Sequence, residues 1–189
     1  MRKTLIVAAL LSLAACGQQA TETPPPPPVA ETSAAAACVA ESAGSWVVAG
    51  KTYAVQARAE GSSCPEAVAT LRLVSPTGVN LFEAQHRVAD VPLSFRAAPE
   101  QAALQQELDA FVVNVAQNPT AESLPAWPAG AAKPPHIIPH ASRADYEAAR
   151  TARRPIFCYP DGNESNACVA LDPQADQALL LGSWTPERP

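Results

Sequence analysis

The chain has 189 residues, 48% of them hydrophobic and 16% charged, a composition suited to burial rather than disorder. Eighteen acidic residues against 13 basic ones give a formal net charge of −5, which argues against nucleic acid as a partner. Twenty prolines and only 5% aromatic residues predict a modest core with long irregular loops.

At the amino end Arg2 and Lys3 precede an apolar run from Leu5 to Ala15. Its length suits a signal-peptide core and falls short of a bilayer span, which takes about 20 residues. The run ends Leu13-Ala14-Ala15-Cys16. Leu, two small residues and then Cys resemble the lipobox of bacterial lipoproteins. The resemblance covers only the first sixteen or so residues. It implies a signal peptide over 1–15, cleaved before Cys16, with diacylglycerol on the Cys16 thiol and an acylated new amino group. Gly17, where an inner-membrane retention signal would place Asp, favours the outer membrane, facing the periplasm. Removing Arg2 and Lys3 leaves 11 basic residues against 18 acidic, a net charge of −7.

Residues 16–37 read as a tether. Pro24 to Pro28 should form an extended polyproline II spacer, and Ala34 to Ala37 close the segment. Residues 38–189 then make one domain of ordinary size. With Cys16 lipidated, Cys38, Cys64, Cys158 and Cys168 remain, an even set in an oxidising compartment. Of three possible pairings, Cys38–Cys64 with Cys158–Cys168 is favoured. The second pair brackets a hairpin, and the first follows by elimination.

Within the domain, Trp46 to Val48 and Thr52 to Ala59 read as strands around Ala49-Gly50-Lys51. Tyr53, Val55, Ala57 and Ala59 fall on one face, opposite Gln56, Arg58 and Glu60. Ala69 to Val74 is a third strand, with Leu71 and Leu73 inward against Thr70 and Arg72. Ser75-Pro76-Thr77-Gly78 is a turn of type I chemistry, and Val79 to His86 returns. From Pro99 to Gln117 the period changes, and Leu104, Leu108, Phe111, Val112 and Val115 form one helical stripe. The opposite face carries Gln105, Gln106, Asp109 and Gln117. Asn118 to Pro139 is a proline-rich loop, and a helix capped by Ser142 follows, ending near Arg153. Ile156 to Tyr159, Ala167 to Leu171 and Ala178 to Trp184 read as strands. The expected fold is α+β: small antiparallel sheets with two helices packed on one face, stapled by disulfides.

Candidate chemistry is sparse. His136 and His140 stand four apart, but Pro134, Pro135 and Pro139 forbid the helix that would bring them together on a metal. His86 ends a strand. Asp161 to Ser165 faintly echoes a calcium loop but lacks its glycine and its flanking helices. Arg143, Arg150, Arg153 and Arg154 form a basic stripe that could meet lipopolysaccharide phosphate or peptidoglycan carboxylates. No Gly-x-Ser-x-Gly elbow, Ser-x-x-Lys motif or glycine-rich phosphate loop occurs. No catalytic residue, metal or cofactor is assigned. The leading expectation is a non-catalytic, lipid-anchored envelope protein that binds or supports another envelope component. The alternative is a hydrolase or metal-dependent enzyme using His86, His136 or His140.

Overall fold

The computed structural model describes residues 38–115, 119–162 and 164–185. Cys16 and the tether lie outside them. The order is β1 (Cys38–Val48), β2 (Lys51–Gly61), β3 (Val68–Val74), β4 (Asn80–Arg87), α1 (Gln101–Val115), β5 (Ile137–Pro139), α2 (Arg143–Thr151), β6 (Ile156–Pro160), β7 (Asn166–Asp172) and β8 (Gln177–Trp184). Two antiparallel sheets form, β1-β2-β3-β4 and β5-β8-β7-β6.

The first sheet follows the alternation of its sequence. Tyr53, Val55, Ala57 and Ala59 are buried, as are Ala69, Leu71 and Leu73. Gln56, Arg58, Glu60 and Arg72 are exposed on the other face. Ala49 and Gly50, at φ 51° and 76°, make the tight turn between β1 and β2. Two successive left-handed residues match the twist of the flanking strands. The next turn closes as expected, with the Gly78 N–H donating to Ser75 O at 2.9 Å.

β1 is much longer than its sequence suggests. Cys38 to Ser45 is rich in Ala, Ser and Gly, which have little strand preference. All eleven residues nevertheless pair with β2, from Cys38 opposite Gly61 to Val48 opposite Lys51. Helix α1 packs against β1 and β2, burying Leu104, Leu108, Phe111 and Val112; the Val115 side chain lies outside the described set. Gly44 permits this approach, since a Cβ there would stand 2.8 Å from Val112 Cγ1.

Gln105, expected on the outer helix face, has a different task. Gln101 Oε1 accepts from Val39 N at 3.3 Å and its Nε2 donates to Val39 O; Gln105 does the same with Glu41, at 3.3 and 2.7 Å. Four helical residues advance about 6 Å and two strand residues about 6.7 Å, so the two spacings match. Two amides thus take the place of a neighbouring strand along the β1 edge.

In the second sheet, β7 is buried on both faces. Ala167, Val169 and Leu171 of β7 join the core shared with the first sheet and α1. Cys168 and Ala170 point the other way, into a cluster with Tyr146 and Ala149 of α2. The two helices therefore do not share a face, and the expected arrangement is corrected here. Ala167 to Leu171 is apolar throughout, so both of its faces need cover. α1 serves the first core and α2 the second.

Ser142 caps α2 as expected, its Oγ accepting from Asp145 N at 3.1 Å. The helix ends with Arg153 left-handed at φ 50°, where Arg153 N donates to Arg150 O and Arg154 N to Ala149 O. That is the Schellman pattern with Arg where Gly is usual. Both cysteine pairs stand at disulfide distance, Cys38 with Cys64 and Cys158 with Cys168, at Cα separations of 5.1 and 4.1 Å. Cys158 and Cys168 face each other directly across β6 and β7. Among the described residues, no helix is long and apolar enough to cross a membrane.

Candidate functional site

The outer face of the first sheet forms a concavity of about 640 Å³, lined by Glu41, Gln56, Arg58, Glu60, Thr70 and Arg72 among others. Strand register explains its contents. One row across the sheet is Glu41, Arg58, Thr70 and Gln85; the next is Ala43, Gln56, Arg72 and Glu83. The arginines thus occupy the two central strands on a diagonal. An acid stands at each edge, Glu41 on β1 and Glu83 on β4.

These charges pair across strands and, for Arg58 and Glu60, along one strand. Arg58 contacts Glu41 and also reaches Glu60 at 2.7 Å. Arg72 Nε donates to Glu83 at 2.7 Å. That hydrogen bond holds the Glu83 carboxyl below its ordinary value. Both guanidinium side chains remain about half exposed, at 47% and 49%. Exposed pairs of this kind add little net stability, so a ligand can exchange for either partner at little cost. The rows carry amide, hydroxyl, guanidinium and carboxylate groups, and no aromatic ring.

The three candidate histidines fall in different settings. His136 is exposed, left-handed at φ 57°, and its carbonyl accepts from Thr185 N. Ile137–Pro139 is an edge strand rather than loop, paired with β8. Four strand residues advance about 13 Å, which separates His136 from His140. Proline is tolerated in β5 because it lies at the sheet edge.

His140 Nε2 lies 3.2 Å from Ser183 Oγ, which donates to Asp161 Oδ2 at 2.5 Å; Ser165 donates to Asp161 Oδ1 at 2.6 Å. The order His–Ser–Asp resembles a nucleophile constellation only in composition. Ser183 directs its proton to the carboxylate, whereas a nucleophile must direct it to the histidine base. As placed, the chain of bonds ties the ends of β5, β6 and β8 together. Asp161, first residue of the loop compared with a calcium site, has both oxygens occupied by these hydroxyls; Asn163 lies outside the described residues.

His86 faces inward from β4, its ring 5.7 Å from that of Tyr159. Its Nε2 is buried and lacks a hydrogen-bond partner among the described residues. Burial lowers its pKa, opposed by the charges of Asp161 and Asp90. Tyr159 is pushed up by burial and then by Asp161. Among the described residues, no group of three or more His, Cys, Asp or Glu is placed to hold a metal ion.

The four arginines of the basic stripe each have an intramolecular partner. Arg143 donates to Pro128 O at 3.3 Å and sits 5.9 Å over the Trp127 ring. Arg150 donates to Leu124 O and to Glu147, Arg153 to Glu122, and Arg154 to Asp172. Tyr146 Oη donates to Pro125 O at 2.8 Å, and Glu147 accepts from Trp127 N at 2.7 Å. Prolines contribute no N–H, so the loop's carbonyls need donors from elsewhere, and α2 supplies them.

Sequence reading identified Gln56, Arg58, Glu60, Thr70 and Arg72 as solvent-facing and did not join them into a site. The period-two alternation was the available signal. Glu41, Glu83 and Gln85 enter only through register. Comparison with known proteins finds no matching family model, no matching curated protein and no matching solved structure.

Proposed function

We propose that this is a lipid-anchored protein of the bacterial cell envelope, held at the outer membrane through Cys16 and facing the periplasm. Its domain is of the non-catalytic, binding type, and the outer face of β1–β4 is its binding surface. One observation carries the binding part. Among the described residues, α1 and the second sheet cover the inner face of the first sheet, while its outer face presents a charged concavity. The Leu13-Ala14-Ala15-Cys16 tetrad supports the anchor. The Pro24–Pro28 tract within residues 16–37, read from the sequence as a semi-rigid spacer, supports a domain held away from the bilayer with access to other envelope components.

A photoreactive amino acid placed at Gln56 in cells tests the surface. Its adducts should include an envelope component that the same group at Val113, exposed on α1, does not capture. Identical adducts from both positions would remove the outer face as a binding surface. Mass spectrometry of the mature amino terminus tests the anchor separately: an acylated Cys16 is expected, and an unmodified one would refute it.

A further inference from the structure

We infer that the open edge of β4 docks an extended segment of a partner polypeptide, which adds a fifth strand to the first sheet. The main chain of β4 recognises that segment, so the inference does not rest on the outer-face concavity.

The two edges of this sheet are finished differently. On β1 the outward main-chain groups of Val39 and Glu41 are taken by Gln101 and Gln105. On β4, Val88 N donates to Ala67 O. Strand alternation then turns the main-chain groups of Glu83, Gln85 and Arg87 away from β3. Among the described residues, none of those N–H and C=O groups has a hydrogen-bond partner. Nor does Asn80–Arg87 contain the proline or lysine that guards many edges. The inward residues Phe82, Ala84 and His86 are only partly buried, whereas Leu71 and Leu73 of β3 are buried.

Beneath this edge lies a ledge. β6 lies against α1 and β8 against β4, so β5, the next strand beyond β8, extends past the edge of the first sheet. Ile137 enters the cluster with α2. Ile138 therefore points to the side of the first sheet, where it is 61% exposed. A strand added to β4 would lie over it.

These features select the occupant. Only an extended polypeptide presents N–H and C=O groups in alternation at the repeat of about 6.7 Å that Glu83, Gln85 and Arg87 set. Its downward residues meet Ile138 and Ala84 and are apolar. Arg87 is exposed and has no ion pair among the described residues, whereas Glu83 already has Arg72. The solvent-side residue beside Arg87 is therefore acidic. A second copy does not fit, because two-fold pairing of β4 edges would bring its second sheet into the space that β5 occupies.

The test is an amide-shift titration of the full chain, purified from membranes in detergent. The probe is a synthetic heptapeptide with valine at alternate positions and threonine and one glutamate between them. It should shift the Glu83, Gln85 and Arg87 amides saturably. N-methylation at its threonine and glutamate nitrogens removes the N–H groups aimed at β4 and should weaken binding about tenfold or more. N-methylation at the valines, whose N–H groups point away, should change it little. Gln85→Pro deletes one outward N–H, leaves the β3 ladder intact and should abolish the shifts. Gln85→Ala keeps that N–H and should retain them. Ile138→Ser and Arg87→Glu should each weaken the probe several-fold while the circular dichroism spectrum stays unchanged. Equal binding of the two methylated peptides would overturn main-chain recognition, and that pair decides the matter even where the proline variant fails to fold. Equal loss in Gln85→Pro and Gln85→Ala would overturn it too. Shifts from Glu83 to Arg87 on concentrating the protein without peptide would overturn the inference in favour of pairing between copies. So would the absence of any saturable shift at this edge, in favour of no docking there. The Gln56 crosslinking result on the outer face stands or falls independently.

Discussion

The two sheets solve the same burial problem differently. In the first, each strand has one dry face and one wet face, so hydrophobic and polar residues alternate along β2 and β3. In the second, β7 is covered on both sides, and five consecutive residues from Ala167 to Leu171 are buried. A doubly covered strand has no side chain free for anything except packing. A sheet with one wet face can carry polar groups in register at little cost to stability. The candidate site therefore lies on the first sheet, and the second sheet serves as its support.

The largest test of this contrast compares the two kinds of face. Phe157 of β6 packs 5.5 Å from Trp46 and 5.9 Å from Phe82, joining the sheets. Phe157→Ala should cost about 3–5 kcal/mol in urea unfolding, and Gln56→Ala on the outer face about 0.5 kcal/mol or less. Similar costs would erase the distinction. The disulfides come next. Cys38–Cys64 closes a separation of 26 residues and Cys158–Cys168 one of 10. Chain entropy assigns them about 3.5 and about 2.7 kcal/mol. Serine replacement of the first pair should therefore lower the unfolding midpoint more. A reversed order would place more of the stability in the second sheet than loop closure assigns.

Smaller effects are expected at the β1 edge. Replacing Gln101 and Gln105 together by Ala should cost about 1 kcal/mol for each. It should also expose an unpaired strand edge, seen as concentration-dependent association in size-exclusion chromatography. A variant that loses stability but stays monomeric would refute the edge-capping role. The smallest effect concerns pH. Burial depresses the folded-state pKa of His86 below the ordinary value of about 6.5. Between the two values the unfolded chain binds more protons, so stability rises with pH across that window and is lost as pH falls through it. Thermal melts should show this slope near pH 6, and His86→Leu should flatten it. Carboxylates such as Glu83 titrate lower and leave this window clear.

Much of the local structure was legible because its causes are local. The α1 stripe, the Ser142 cap, the Ser75–Gly78 turn and the inward set of β2 each follow from residues within a turn or two. The missed features share a different cause. β1 extends back to Cys38 because β2 offers a partner along its whole length, which outweighs the weak strand preference of Ala, Ser and Gly. Gln105 looks like a surface residue by helical period, but its partner Glu41 is 64 residues away. The arginines of α2 read as a stripe until the proline loop, with few donors of its own, is laid beside them.

The sequence by itself determined the alternation, the helical stripe, the turn chemistry and an even set of four cysteines once Cys16 is set aside. All of these are short-range patterns or simple counts. Only the tertiary structure decided that β7 is covered on both faces, that α1 closes one edge of the first sheet, and that Arg58 and Arg72 stand between Glu41 and Glu83. These outcomes depend on register and layer order. Both are set by which distant apolar faces meet, and no local window of the chain contains that information.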